Sequence, residues 1–235
     1  MKVYNRVAGV VALRRELFKG AMSMRNLITT VLIDFGGVLA EEGFLEGLRA
    51  LGRKNGLDPD EFFKTVDALI YETGYLTGRA DEAIFWSAVR KRTGIEGTDH
   101  DLRAEILDRF VLRPDMLALM DSLRSMGIVV AMLSDQTDWL EEIDRSTSLF
   151  SHFDCVFNSY RMKKSKRDAS VFDYVCALLD VEPRKVLFVD DNINHIARAQ
   201  ERGLRTIHFV SMEDYKNQLK NYFPGMTYVE ILPGG

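Results

Sequence analysis

The chain has 235 residues, 46% of them hydrophobic, 28% charged and 10% aromatic, with a formal net charge of −4 at pH 7. That length suits one large domain or a domain carrying an insertion, and the apolar fraction excludes a disordered chain. There is no overall basic field to draw the protein to nucleic acid, and the longest unbroken apolar run, Ile128 to Leu133, is far too short to span a bilayer.

At the amino terminus, Val7 to Leu13 follows Arg6 and resembles a minimal signal-peptide apolar region. Arg14, Arg15 and Glu16 follow at once, however, and no small-x-small cleavage pattern comes after them. Residues 1–26 are therefore expected to be an extension outside the chemistry, with Met22 or Met24 as alternative translation starts. Cys155 and Cys176 form no CxxC pair and read as small core residues of a reduced, cytoplasmic protein.

Short, β-branched apolar runs predict parallel strands at Ile28 to Ile33, Ile128 to Leu133, Cys155 to Phe157, Val186 to Val189 and Thr206 to Val210. Helical patterns at Asp115 to Met126, Val171 to Leu179 and Ile193 to Arg202 lie between them. This alternation predicts an α/β fold with a doubly wound parallel sheet that binds ligands at the carboxyl ends of its strands. Between the first and second strands the chain reads as helices alone: Phe44 to Asn55, Pro59 to Tyr71, Ala80 to Thr93 and Asp99 to Phe110. They predict a helical bundle inserted over that edge, covering residues 41–112, with the core in 27–40 and 113–212. Residues 213–235 read as a final helix, Glu213 to Tyr222, and an irregular tail.

The strand ends carry the chemistry. The first runs into Asp34-Phe-Gly-Gly-Val-Leu39, a carboxylate followed by glycines that let a ligand approach the backbone. The second ends in Ser134-Asp135, a hydroxyl with a candidate helix start beyond it, which together suit an anion. Lys166 precedes a helix, and the fourth strand ends in Asp190-Asp191-Asn192. Adjacent carboxylates repel unless a cation neutralises them, which suggests a hard metal such as Mg²⁺.

In order and spacing these residues resemble the haloacid dehalogenase-like (HAD) hydrolase superfamily, from about Leu27 to Phe209. Its motifs stand as Asp34-Phe-Gly-Gly-Val-Leu39, Leu133-Ser134, Lys166-Arg-Asp168 with Val171-Phe172, and Phe188-Val-Asp-Asp-Asn192 with Ala199 and Gly203. The pattern is most similar to the branch containing the epoxide hydrolase N-terminal phosphatase domain and the glucose-1-phosphate phosphatases. The resemblance implies a HAD-like, Rossmann-type core with an inserted helical cap, and a Mg²⁺-dependent phosphatase of a small phosphorylated metabolite. Asp34 would be the nucleophile that forms an aspartyl-phosphate. Ser134 would contact a phosphoryl oxygen, and Lys166 would neutralise charge. Gly37, Asp135 and Asn192 complete the implied phosphate-binding set. Asp34, the Gly36 carbonyl and Asp191 would hold Mg²⁺, with Asp190 acting through water.

One departure stands out, because most phosphatases of the family carry a general acid/base Asp where this chain has Gly36. Losing that group typically costs about 10²- to 10⁴-fold in rate. It points either to a good leaving group, such as an anomeric, aryl or acyl phosphate, or to a slow enzyme, and predicts that Gly36→Asp would raise activity on alkyl phosphates. The alternatives are a metal-independent dehalogenase using the same nucleophile and a catalytically weakened binding protein. His100, His152, His195 and His208 show no metal-ligand spacing and read as surface or core residues. Tyr75, Phe85 and Trp86 read as bundle core, and the run Arg161 to Arg167 reads as a solvated loop apart from Lys166.

Overall fold

A computed structural model describes residues 28–224. The expectations for residues 1–26 and for the tail lie outside the described residues, in the tail's case from residue 225 onward. Five parallel strands form one sheet in the order β3-β2-β1-β4-β5. They are β1 (Thr30–Ile33), β2 (Val129–Ser134), β3 (Cys155–Asn158), β4 (Val186–Asp190) and β5 (Arg205–His208).

Alternate residues of the central strands feed two cores, one on each face. Val31, Ile33, Val130, Met132, Leu187 and Val189 point into one, while Leu32, Val129, Ala131, Leu133, Val186 and Phe188 point into the other. Strands buried on both sides must be apolar throughout, which is why these runs carry no polar alternation. Cys155 and Cys176 pack as free thiols in the second core.

The register places Ile33 beside both Met132 and Val189, so β1 ends between its two neighbours. The order in which strands are added reverses there, outward to β2 and β3 on one side and to β4 and β5 on the other, and a crevice opens outside the carboxyl ends of the strands. Asp34 leaves β1 at that point.

Between β1 and the helix α5 (Pro114–Ser125) lie α1 (Gly43–Lys54), α2 (Pro59–Glu72), α3 (Glu82–Thr93) and α4 (Asp99–Leu107). Asp58, Asp81 and Thr98 cap the last three, each accepting a backbone N–H of the first turn. Gly47 lets α1 and α4 touch, since a Cβ there would lie 2.6 Å from the Ile106 Cα. The segments into and out of this insert pair with each other at Ala40 and Leu112. Glu41 N–H donates to the Val111 carbonyl (2.9 Å) and Arg113 N–H to the Leu39 carbonyl (2.9 Å). The Arg113 guanidinium also donates to the Gly37 and Val38 carbonyls at 2.6 and 2.9 Å, bracing the turn after β1.

The remaining helices are α6 (Trp139–Thr147), α7 (Ser159–Met162), α8 (Ser170–Leu178), α9 (Ile193–Glu201) and α10 (Met212–Leu219). Periodicity missed α6, since its only buried residues are Trp139, Leu140 and Ile143, a face too small to stand out among charged neighbours. The last strand starts and stops earlier than Thr206 to Val210, and Val210 is 70% exposed. Conversely, β2 continues through Ser134, which carries that hydroxyl into the sheet's edge. Among the described residues, no helix is long and apolar enough to cross a membrane.

Candidate active site

A cleft of about 450 Å³ opens where the strand ends meet the insert. Its floor comes from the strand ends and the loops beyond them, with Asp34, Gly36, Ser134, Asp135, Lys166, Asp191 and Asn192. Its other wall includes Phe44, Asp67, Ile70, Tyr71 and Leu76 of the insert.

Lys166 is the hub. Its ammonium lies 2.6 Å from Asp34 Oδ2 and 2.6 Å from Asp190 Oδ2, and the side chain is 1% exposed. A chain segment far from both strands thus delivers one cation between two strand-end carboxylates. Burial works against the ammonium, but Asp190, Asp34 and Asp135 outweigh it and hold the Lys166 pKa above the ordinary lysine value. Asp190 is fully spent on protein donors. Its Oδ1 accepts the Asn192 N–H (2.8 Å), its Oδ2 accepts Lys166, and His195 Nδ1 lies 3.2 Å from both oxygens. Burial opposes its ionisation, yet Lys166 and His195 keep Asp190 well below the usual carboxylate range. Asp34 is pushed the other way by burial, against the pull of Lys166 and helped by Asp190 and Asp191.

The other expected residues take distinct positions. Ser134 is 1% exposed and lines the cleft. Asp135 also lines it but turns both oxygens to the Lys166 backbone N–H, at 2.9 and 3.1 Å, and so holds the segment that carries the lysine. Gly37 has φ +73°, and a Cβ there would overlap Asp191 Oδ2, so its lack of a side chain makes room for that carboxylate. Asn192 caps α9 by accepting the Asn194 N–H at 2.9 Å. Burial, with Asp190, raises the Asp191 pKa.

Several cleft residues are not singled out by the sequence, and three of them carry polar groups beside the strand ends or the insert. His195, which shows no metal-ligand spacing in the sequence, faces Asp190 from the first turn of α9. Trp139 belongs to the helix that periodicity did not reveal. Glu42 lines the cleft, and burial together with Asp191 pushes its pKa up to about 7. Its only sequence signal is a pair of glutamates at the start of the insert.

The aromatic trio does form bundle core: Tyr75, Phe85 and Trp86 are fully buried, and the Tyr75 hydroxyl donates to Asp138 at 2.6 Å. The basic run is not a simple solvated loop. Lys163 donates to the Gly78 carbonyl, and Arg167 lies 3.3 Å over the Tyr71 ring and 3.0 Å from Asp67, so both reach across to the insert.

The haloacid dehalogenase-like hydrolase model matches residues 28–202. The chain belongs to that family. It is 29% identical over 162 residues, 65% of its length, to drimenol cyclase drtB of Aspergillus calidoustus, covering 29% of that protein. It is 28% identical over 95 residues to (S)-2-haloacid dehalogenase 4A of Burkholderia cepacia, 40% of this chain and 41% of that one. The chain therefore spans less than half the length of either relative. The fold is similar to a HAD family enzyme of Bacteroides thetaiotaomicron in complex with magnesium and inorganic phosphate. That match has a TM-score of 0.66 and 25% identity, covering 81% of this chain and 98% of the other.

Proposed function

We propose that this hydrolase is a Mg²⁺-dependent phosphatase that acts on a small phosphorylated metabolite through an aspartyl-phosphate. One observation carries the reading: Asp34, Glu42, Asp135 and Asp191 line the cleft, and its one lysine, Lys166, is already shared with Asp190. An anionic substrate entering such a site meets a surplus of buried negative charge unless a second cation is present.

The donor set fits a hard divalent ion. Asp34, Gly36 and Asp191 line the cleft, the two carboxylates and the Gly36 carbonyl would supply the oxygens, and Gly37 leaves the space that Asp191 occupies. Asp190, with both oxygens hydrogen-bonded, would contribute only indirectly. Ligand atoms of Asp34, Asp190 and His195 also lie within 4.8 Å of one another, but an imidazole suits softer metals than Mg²⁺. Bound there, Mg²⁺ would neutralise the carboxylates and the phosphoryl oxygens. Ser134 would orient the phosphoryl group, and Asp34 would attack phosphorus while Lys166 balances the charge that develops. The Bacteroides enzyme, crystallised with magnesium and phosphate, supports this choice over the dehalogenases among the relatives. A 2-haloacid would bring a carboxylate into the same acidic cleft with no metal to offset it.

The test is hydrolysis of para-nitrophenyl phosphate with and without Mg²⁺ by the wild type and Asp34→Asn. We expect metal-dependent turnover that the substitution abolishes. Halide release from a 2-haloacid without metal, together with no phosphate turnover, would overturn the reading.

A further inference from the structure

Position 36 lacks the carboxyl group that leaving-group protonation calls for, yet the space its side chain would enter is not empty. A Cβ built on Gly36 would lie 2.9 Å from Glu42 Oε1. By ordinary bond lengths an aspartate's own carboxylate oxygen lies about 2.4 Å from its Cβ. Glu42 therefore brings a carboxylate oxygen, from another part of the chain, to about the distance at which an aspartate at 36 would hold one.

The local structure leaves that group uncommitted. Glu42 occupies the N-cap position of α1 but makes no capping hydrogen bond. Among the described residues its carboxylate enters no hydrogen bond or ion pair, whereas the neighbouring Glu41 is paired with Arg113. The side chain lines the same cleft as Asp34, Ser134 and Lys166. Unused carboxyl groups facing a reaction cleft are unusual, because an unpaired, partly buried charge is costly.

From this juxtaposition we infer that Glu42 is the general acid/base of the reaction, in place of the missing aspartate at position 36; the inference rests on the phosphatase reading. In the first half, Asp34 bonds to phosphorus as the bond to the alcohol oxygen breaks. The electron pair of that bond goes to the oxygen, and Glu42 delivers its proton there, releasing the alcohol. In the second half, Glu42 takes a proton from water as the water oxygen bonds to phosphorus. The bond from phosphorus to Asp34 breaks, regenerating the carboxylate and releasing inorganic phosphate. The sequence expectation for Gly36→Asp changes accordingly. In the native background the new carboxylate would run into Glu42 and lower alkyl phosphate turnover instead of raising it.

The experiment compares n-propyl phosphate with para-nitrophenyl phosphate in the wild type, Glu42→Gln, Glu42→Ala and Gly36→Asp/Glu42→Ala. Mg²⁺ affinity is measured by calorimetry on each, and folding by circular dichroism. A poor leaving group needs the proton and a good one needs it far less. Loss of the acid should therefore lower the alkyl rate by about 10²-fold or more relative to the aryl rate. Mg²⁺ affinity should stay near the wild-type value, and the double variant should regain alkyl turnover over Glu42→Ala. Equal losses on both substrates with weakened Mg²⁺ binding would make Glu42 a metal or structural group and overturn the inference. So would an unchanged alkyl-to-aryl ratio. A wild type that hydrolyses neither phosphate would overturn the phosphatase reading first and the role of Glu42 with it.

Discussion

Lys166 shows what a single residue does in this cleft. Its ammonium is the cation between Asp34 and Asp190, and its backbone N–H is held by Asp135. Replacing it with Met keeps the volume but leaves those carboxylates facing each other without the charge between them. Removing one partner of a buried ion pair costs about 3–5 kcal/mol. Lys166→Met is therefore expected to lose that much in urea unfolding as well as its turnover. A loss below about 1 kcal/mol would mean that the carboxylates are protonated or solvated instead of paired. Asp34, Ser134, Asp190 and Asp191 could be picked out in the sequence because each sits where an apolar run stops. Glu42, His195 and Trp139 could not, since nothing in their local sequence says which way they face. His195 became a site residue only because the first turn of α9 turns its ring back to Asp190.

At the level of elements, the question is how the insert stays registered on the sheet. Glu82 on α3 is one fastening. Its Oε1 accepts the indole N–H of Trp86 at 3.1 Å and of Trp139 at 3.2 Å, and its Oε2 binds Arg103. Trp139 lies across the boundary on α6, so one carboxylate ties the insert to the core beside the cleft. Glu82→Ala leaves two buried indole donors without an acceptor, at about 1–3 kcal/mol each. We expect a loss of about 2 kcal/mol or more for Glu82→Ala and distinctly less for Glu82→Gln, which keeps an acceptor. Equal losses in urea unfolding would show that the charge on Glu82 matters and the acceptor does not. The insert's helices were legible from their apolar spacing and from Asp58, Asp81 and Thr98 at their starts. The short α6, with three buried residues, was not.

For the molecule as a whole, the proposed cation site predicts that folding stability rises when Mg²⁺ is added. An ion that binds only the folded state stabilises it by about 2.7 kcal/mol at a hundredfold excess over Kd. In a protein of this size each kcal/mol raises Tm by about 2–4 °C, so saturating Mg²⁺ should raise Tm by roughly 5–10 °C. Asp191→Asn should remove most of that shift. Inorganic phosphate should add to it only when Mg²⁺ is present. A thermal scan with no Mg²⁺ response would count against the cation site.

The sequence by itself determined the parallel α/β sheet, the helical insert after its first strand and the family. These follow from the length and burial of apolar runs and from short motifs, all of them local in the chain. Only the tertiary structure decided what shares the cleft. Lys166 reaches Asp34 from a different crossover, Arg167 crosses to Tyr71, and Glu42 fills the space beside Gly36. Such meetings depend on the packing of distant segments against one another, and residue spacing along the chain does not encode that directly.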